Sequence, residues 1–223
     1  MLSGMTLWTR GDDTKPGPRP TYTLDQLADA CVVIADADGL SALSMRRVAQ
    51  HLGTAAASLY RYVEGKDDLL SLMVDRVSAQ YDYPETTGDV LSDVLAILEQ
   101  SRVIYRNHPW LAKAAATELG PNSMRYLDRM AGALAPAGLG AGATMMGVAM
   151  LSGWVMTFAA QDAAGAATGS AGSQQITRMM DNERYPNLAV LFARTDTAEV
   201  VPDSDTTFRA GIEALLFGFA SNE

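Results

Sequence analysis

Leu43-Ser44-Met45-Arg46-Arg47-Val48-Ala49-Gln50-His51-Leu52-Gly53-Thr54, then three alanines, then Ser58-Leu59-Tyr60-Arg61-Tyr62-Val63, is the stretch that decides the fold. Ser44 stands at a helix N-cap, and Met45, Val48, Ala49 and Leu52 follow on one face of a short helix that Gly53 ends. A second helix is expected from near Ala55 to about Tyr62. Leu59 and Val63 face inward on it, leaving Ala57, Ser58, Tyr60, Arg61 and Tyr62 outward. Two helices joined by so tight a turn make a helix-turn-helix, which lays its second helix in the major groove of DNA. Any helical bundle also contains such pairs, and an outward face with two tyrosines also suits an ordinary amphipathic surface.

The flanks extend the pattern. Thr23 and Gln26 form a capping-box start, followed by Leu24, Leu27, Ala28, Cys31 and Ile34 at helical spacing and a stop at Gly39. Lys66 opens a further helix with Leu69, Leu70, Met73 and Val77 on one face. Upstream, Pro16, Pro18 and Pro20 forbid a helix, so residues 1–22 read as a flexible arm. Downstream, helices are expected near Asp89–Asn107, Trp110–Leu119, Asn122–Leu134, Ala141–Ala163, Ser173–Asn182, Asn187–Arg194 and Thr206–Ala220. Small-residue breaks separate them at Pro136–Gly142 and Gly165–Gly172, and no stretch alternates as a strand does. The chain reads as all-α. The expected organisation is an arm (1–22), a three-helix DNA-binding domain (23–70) and a helical bundle for ligand binding and dimerisation (71–223).

Composition narrows the function classes. The 223 residues are 48% hydrophobic and 19% charged, enough apolar material for a sizeable core. A single cysteine and two histidines exclude a disulfide framework and a histidine-rich metal centre, and no metal or cofactor is expected. The net charge of −9 argues at first against nucleic acid. Its distribution softens that argument: residues 1–66 hold seven basic and seven acidic side chains, so the acidity belongs to the remainder and the N-terminal part keeps room for a local basic face. The first residues carry no apolar run of signal-peptide length, so a cytoplasmic protein is expected.

The run 43–53, with Ser58-Leu59-Tyr60-Arg61-Tyr62-Val63 and Lys66-Asp67-Asp68-Leu69-Leu70, closely resembles the DNA-binding domain of the TetR (tetracycline-repressor) family over about residues 23–72. Members are dimeric, all-helical, ligand-responsive transcription regulators, mostly repressors. The resemblance implies that Ser44, Tyr60 and Lys66 meet phosphates, Lys66 with help from the partial positive charge of a helix N-terminus. Together with the outward face, the expected DNA-binding set is Ser44, Arg46, Ala57, Ser58, Tyr60, Arg61, Tyr62 and Lys66. Arg61 has two readings, a bidentate guanine contact or a phosphate contact. Two positions depart from the family pattern. Tyr62-Val63 stands where histidine and phenylalanine are common, and Ala55 stands where a capping residue is common, which leaves capping to Thr54. Arg19, with Lys15 upstream, suits either a minor-groove arm or a solvated tail.

The long C-terminal part implies an effector pocket by the same resemblance. Tyr105, His108, Trp110, Met124, Leu127, Met150, Trp154 and Phe158 are the candidate lining; a plain core stripe is the competing reading. His108 equally suits a helix C-terminus. Arg184-Tyr185-Pro186-Asn187-Leu188 before a last helix looks like the tetracycline-repressor subtype, without an evident magnesium-linked tetracycline site. Helix Ala141–Ala163 and the last helix, with Gly211, Ala214 and Gly218 for close approach, are the expected homodimer surface. The alternative function is a helical small-molecule-binding or membrane-associated protein without DNA binding, prompted by the absence of charge from Met130 to Gln161. The many glycines there, and the lack of Lys/Arg flanking its membrane-length part Ala141–Ala160, argue against a membrane. Gly138-Leu139-Gly140-Ala141-Gly142 lacks the strand that a dinucleotide fingerprint needs, and no catalytic motif is present. The expected partners are an operator in double-stranded DNA, a small largely apolar effector and a second copy of the chain.

Overall fold

The computed structural model describes residues 7–8, 21–114, 116–163, 184–193 and 204–220, and among them there is no strand. Contacts divide the chain into two compact units, residues 1–138 and 139–223. The boundary at Gly138 is one of packing. The functional division expected at residue 70 is a separate one.

Helix α1 (Leu24–Asp38) starts on the expected capping box. Gln26 N–H donates to Thr23 Oγ1 at 3.1 Å, and Thr23 N–H donates to Gln26 Oε1 at 2.9 Å. It ends at Gly39, whose φ of 77° favours glycine. Helix α2 (Met45–His51) is capped by Ser44 Oγ, which accepts from Arg47 N–H at 3.2 Å. Gly53, at φ 67°, makes the tight turn. Helix α3 is shorter than its periodicity suggests: it spans Ala56–Leu59, and turns carry the chain on to Tyr62. The N–H groups of Tyr62 and Val63 both return to the Leu59 carbonyl, a tightened end that still buries Leu59 and Val63 together.

Helix α4 (Lys66–Ser78) packs along α1, and between them lies a core that includes Leu27, Cys31, Ile34, Leu69, Leu72 and Met73. Each of the leucines, the isoleucine and the methionine contributes about 1.5–3 kcal/mol on full burial. Cys31 is buried, and desolvation pushes its thiol up to about 12. Because the folded value is raised, the contribution of this thiol is whole below the unfolded pKa. It falls as pH rises from about 8.5 toward 12. We expect a thiol reagent at pH 8 to label Cys31 only in denatured protein; rapid native labelling would contradict this burial.

Helix α5 (Val90–Asn107) is capped by Asp89, and α6 spans Pro121–Leu134. Between them the expected helix Trp110–Leu119 does not form. Pro109–Lys113 makes a 3-10 turn, and the amides of Thr117 and Glu118 go to Ser71 Oγ on α4, 3.2 Å each, rather than to helical carbonyls. A tertiary acceptor has displaced the local one. The start of α6 is likewise capped from outside: Asp75 on α4, almost fully buried, accepts from Ser123 N–H at 2.8 Å and from Asn122 Nδ2 at 2.9 Å.

The second unit holds α7 (Ala141–Ala163), α8 (Pro186–Ala193) and α9 (Ser204–Ala220), with α7 packed on α9. Among the described residues α7 alone is long and apolar enough to cross a membrane. The expected helix Ser173–Asn182, the break Gly165–Gly172 and the arm residues Lys15 and Arg19 lie outside the described residues.

Candidate nucleic-acid interface and effector region

The exposed side of residues 44–66 is held from behind by the fully buried Leu43, Val48, Leu59, Val63 and Leu69. Arg46, Ala57, Tyr60, Arg61 and Lys66 are exposed, with Tyr60 56% accessible. Ser44 is exposed too, while its hydroxyl caps α2. Lys66 Nζ donates to the Leu40 carbonyl at 3.1 Å, tying the start of α4 to the chain after α1. Its ammonium and the positive end of the α4 dipole lie at one point, with Asp67 and Asp68 in the same first turn and Asp68 accepting from Glu64 N–H.

Two members of the expected set are internal fasteners. Ser58 Oγ donates to the Ala55 carbonyl at 2.7 Å, so Thr54 Oγ1, 2.9 Å away, must donate to it. Thr54 therefore holds Ser58 and does not cap the backbone of α3, whose N-cap Ala55 makes no side-chain bond. Tyr62 is half-buried, and its hydroxyl accepts from Tyr22 N–H at 3.2 Å. The Arg61 guanidinium lies 5.7 Å from the centre of the Tyr62 ring, within cation–π range. Tyr22 went unnoticed in the sequence: its hydroxyl donates to the Leu52 carbonyl at 2.7 Å, clasping the end of the arm onto the helix-turn-helix. An aromatic directly before a capping box was the available signal. We expect Tyr62→Phe to loosen that clasp by less than about 1 kcal/mol, visible as faster amide exchange at Tyr22.

The effector candidates fall in both units. Tyr105, His108, Trp110, Met124 and Leu127 belong to the first, and Met150, Trp154 and Phe158 to the second. Tyr105 is half-buried, and burial and the nearby Tyr126 raise its phenol pKa. Tyr126 in turn lies against Tyr81, ring centres 5.0 Å apart. His108 and Trp110 both turn their polar atoms onto α1. His108 Nδ1 and Trp110 Nε1 meet Asp36 Oδ1 at 2.8 and 2.7 Å, and His108 Nε2 faces Gln80 at 3.0 Å. A carboxylate only accepts, so Nδ1 carries the histidine proton. Met124 and Met150 are exposed and Leu127 half-buried. Trp154 donates from Nε1 to the Phe208 carbonyl at 3.0 Å, and Phe158 packs between Trp154 and Phe208. A small cavity of about 20 Å³, room for one water, sits elsewhere, among Tyr83, Pro84, Glu85, Asp93, Ile97 and Arg129.

Residues 27–73 match the family model described as "Bacterial regulatory proteins, tetR family", a span that includes every nominated DNA-binding residue. Residues 83–222 match "Tetracyclin repressor-like, C-terminal domain". The HTH-type transcriptional repressor DrrR1 of Streptomyces coeruleorubidus is 36% identical over 95% of this chain and 82% of its own. Apo ActR of Streptomyces coelicolor superposes with a TM-score of 0.75 at 31% identity, covering 92% of this chain and 97% of ActR. ActR in complex with actinorhodin gives 0.72 at 32% identity, covering 89% and 95%. Head, helical body and both family models agree along the length of the molecule: this chain belongs to the tetracycline-repressor family of bacterial transcriptional regulators.

Proposed function

We propose that the chain is a cytoplasmic repressor that binds a palindromic operator as a homodimer and leaves it when a small, largely apolar effector enters the helical body formed from residues 71–223. The observation that carries this reading is the exposed Arg46–Lys66 face on a rigid buried support, joined to a body like that of ActR, which has been seen with actinorhodin bound. The name of DrrR1 supports repression in particular. Exposed Met146 and Met150 on α7 and Phe217 on α9, 75% accessible, suit a surface that a second copy covers. A two-fold dimer then sets its heads about 34–36 Å apart, one DNA turn.

Anisotropy titration of a labelled operator tests this directly. Actinorhodin, the ligand named for ActR, serves as the first effector probe. By linkage, it must weaken operator binding by the factor by which operator weakens its own binding. Arg61→Ala is expected to lose about 1–3 kcal/mol at a single base position if Arg61 reads guanine, and to weaken all sequences alike if it meets phosphate. Lys66→Ala is expected to reduce the slope of log affinity against log salt by about one. Unchanged operator affinity in both variants would place the interface elsewhere.

A further inference from the structure

We propose that Leu7 and Trp8 form a wedge that seats α4 against the loop entering α6 and so sets the pose in which the head meets its operator, a role that rests on the operator-binding dimer proposed above. The Leu7 side chain is 1% exposed and belongs to the core shared by α1 and α4. Its N–H donates to Glu118 Oε2 at 2.9 Å. The Trp8 indole lies so close to Gly120 that a Cβ there would collide with both Trp8 and Asp75. Glycine at 120 is what lets the ring approach the backbone. The same corner is bounded by Ser71, which holds the Thr117 and Glu118 amides, and by Asp75, which caps α6. Leu7 and Trp8 therefore fill the angle between α4, the loop and the start of α6.

The position of that corner gives the wedge its consequence. Helix α4 carries Lys66 at its N-terminus and α1 along its side, so the pose of α4 is the pose of the head. At 1.5 Å rise per residue, a tilt of about 10° around Asp75 moves Lys66 by roughly 2 Å, enough to break a hydrogen bond to a phosphate. Trp8 Nε1 is buried with no acceptor among the described residues, so shape and the Leu7 anchor hold the indole there. The far end of the arm is fastened separately, through Tyr22 to Leu52 and Tyr62.

The test uses the full chain with Leu7→Ala/Trp8→Ala, and Trp8→Ala alone as the milder variant that keeps Leu7 in the core. Each is titrated against the operator and against the same duplex with two base pairs added between half-sites. If the wedge sets head geometry, operator affinity falls by about fivefold or more while affinity for the respaced duplex stays nearly level. A purely structural loss lowers the active fraction and weakens both duplexes equally, and that result overturns the proposal. Docking is read independently: the emission that Trp8→Phe removes should be blue-shifted and shielded from acrylamide. Quenching like that of a free indole also overturns it. If the unaltered protein binds both duplexes equally, the operator-dimer reading fails first, and the shielding of Trp8 then separates that failure from failure of the docking.

Discussion

Asp36→Ala is expected to destabilise the folded protein by about 2–4 kcal/mol, because one carboxylate oxygen serves two buried donors. Trp110 and His108 are both nearly inaccessible, and both donate to Asp36 Oδ1. Removing the acceptor strands an indole N–H and an imidazole N–H at once. Asp36 itself is about one-third exposed, at 32% of its side chain, so water reaches part of the gap and the lower half of the range is favoured. Urea unfolding measures the loss. A cycle with Trp110→Phe isolates one of the two bonds: the pair should lose less than the sum of the single variants. A loss below about 0.5 kcal/mol, the ordinary scale of a surface change, would mean that the three side chains do not meet as described.

Gly211→Val is expected to damage the second unit by about 3 kcal/mol or more, through overpacking that neither helix can relieve. The indole of Trp154 on α7 lies against Gly211, where even a Cβ would overlap the ring, and its N–H is fixed to the Phe208 carbonyl one turn earlier on α9. The ring cannot swing away without breaking that bond. Phe158 and Phe208, in edge contact behind it, close the other side. Gly218, by contrast, has no described residue within 4 Å of where its Cβ would be, so Gly218→Ala is expected to leave the monomer fold intact. The measurement is the thermal midpoint of each variant. Equal midpoints for Gly211→Val and Gly218→Ala would refute the difference between them.

Gly211 shows what a local pattern leaves open. In the sequence, Gly211 and Gly218 alike suit approach between subunits, since a small residue on a helix face does not reveal what it lets in. Gly211 turned out to admit a tryptophan of its own chain. His108 and Trp110 pose the same difficulty: an aromatic or imidazole near a helix end suits a ligand site or a buried bond equally well, and the bonding partner, Asp36, is 72 and 74 residues away. The head was more legible because its information is local. Caps at Thr23 and Ser44, a glycine turn at Gly53 and inward Leu59 and Val63 all lie within a few residues of what they specify.

Periodicity and capping by themselves determined an all-helical chain with a helix-turn-helix near its start, because helical hydrogen bonds and apolar faces repeat within four residues. They overestimated helix where a distant side chain offered a better acceptor, as Ser71 does for Thr117 and Glu118. Only the tertiary structure decided that Asp75 caps a helix it does not belong to, that Tyr62 holds Tyr22, and that Leu7 and Trp8 are buried. Each of those is a pairing across 40 residues or more. A sequence states which groups need partners; which partner arrives depends on how the packed helices bring distant segments together, and no local pattern encodes that.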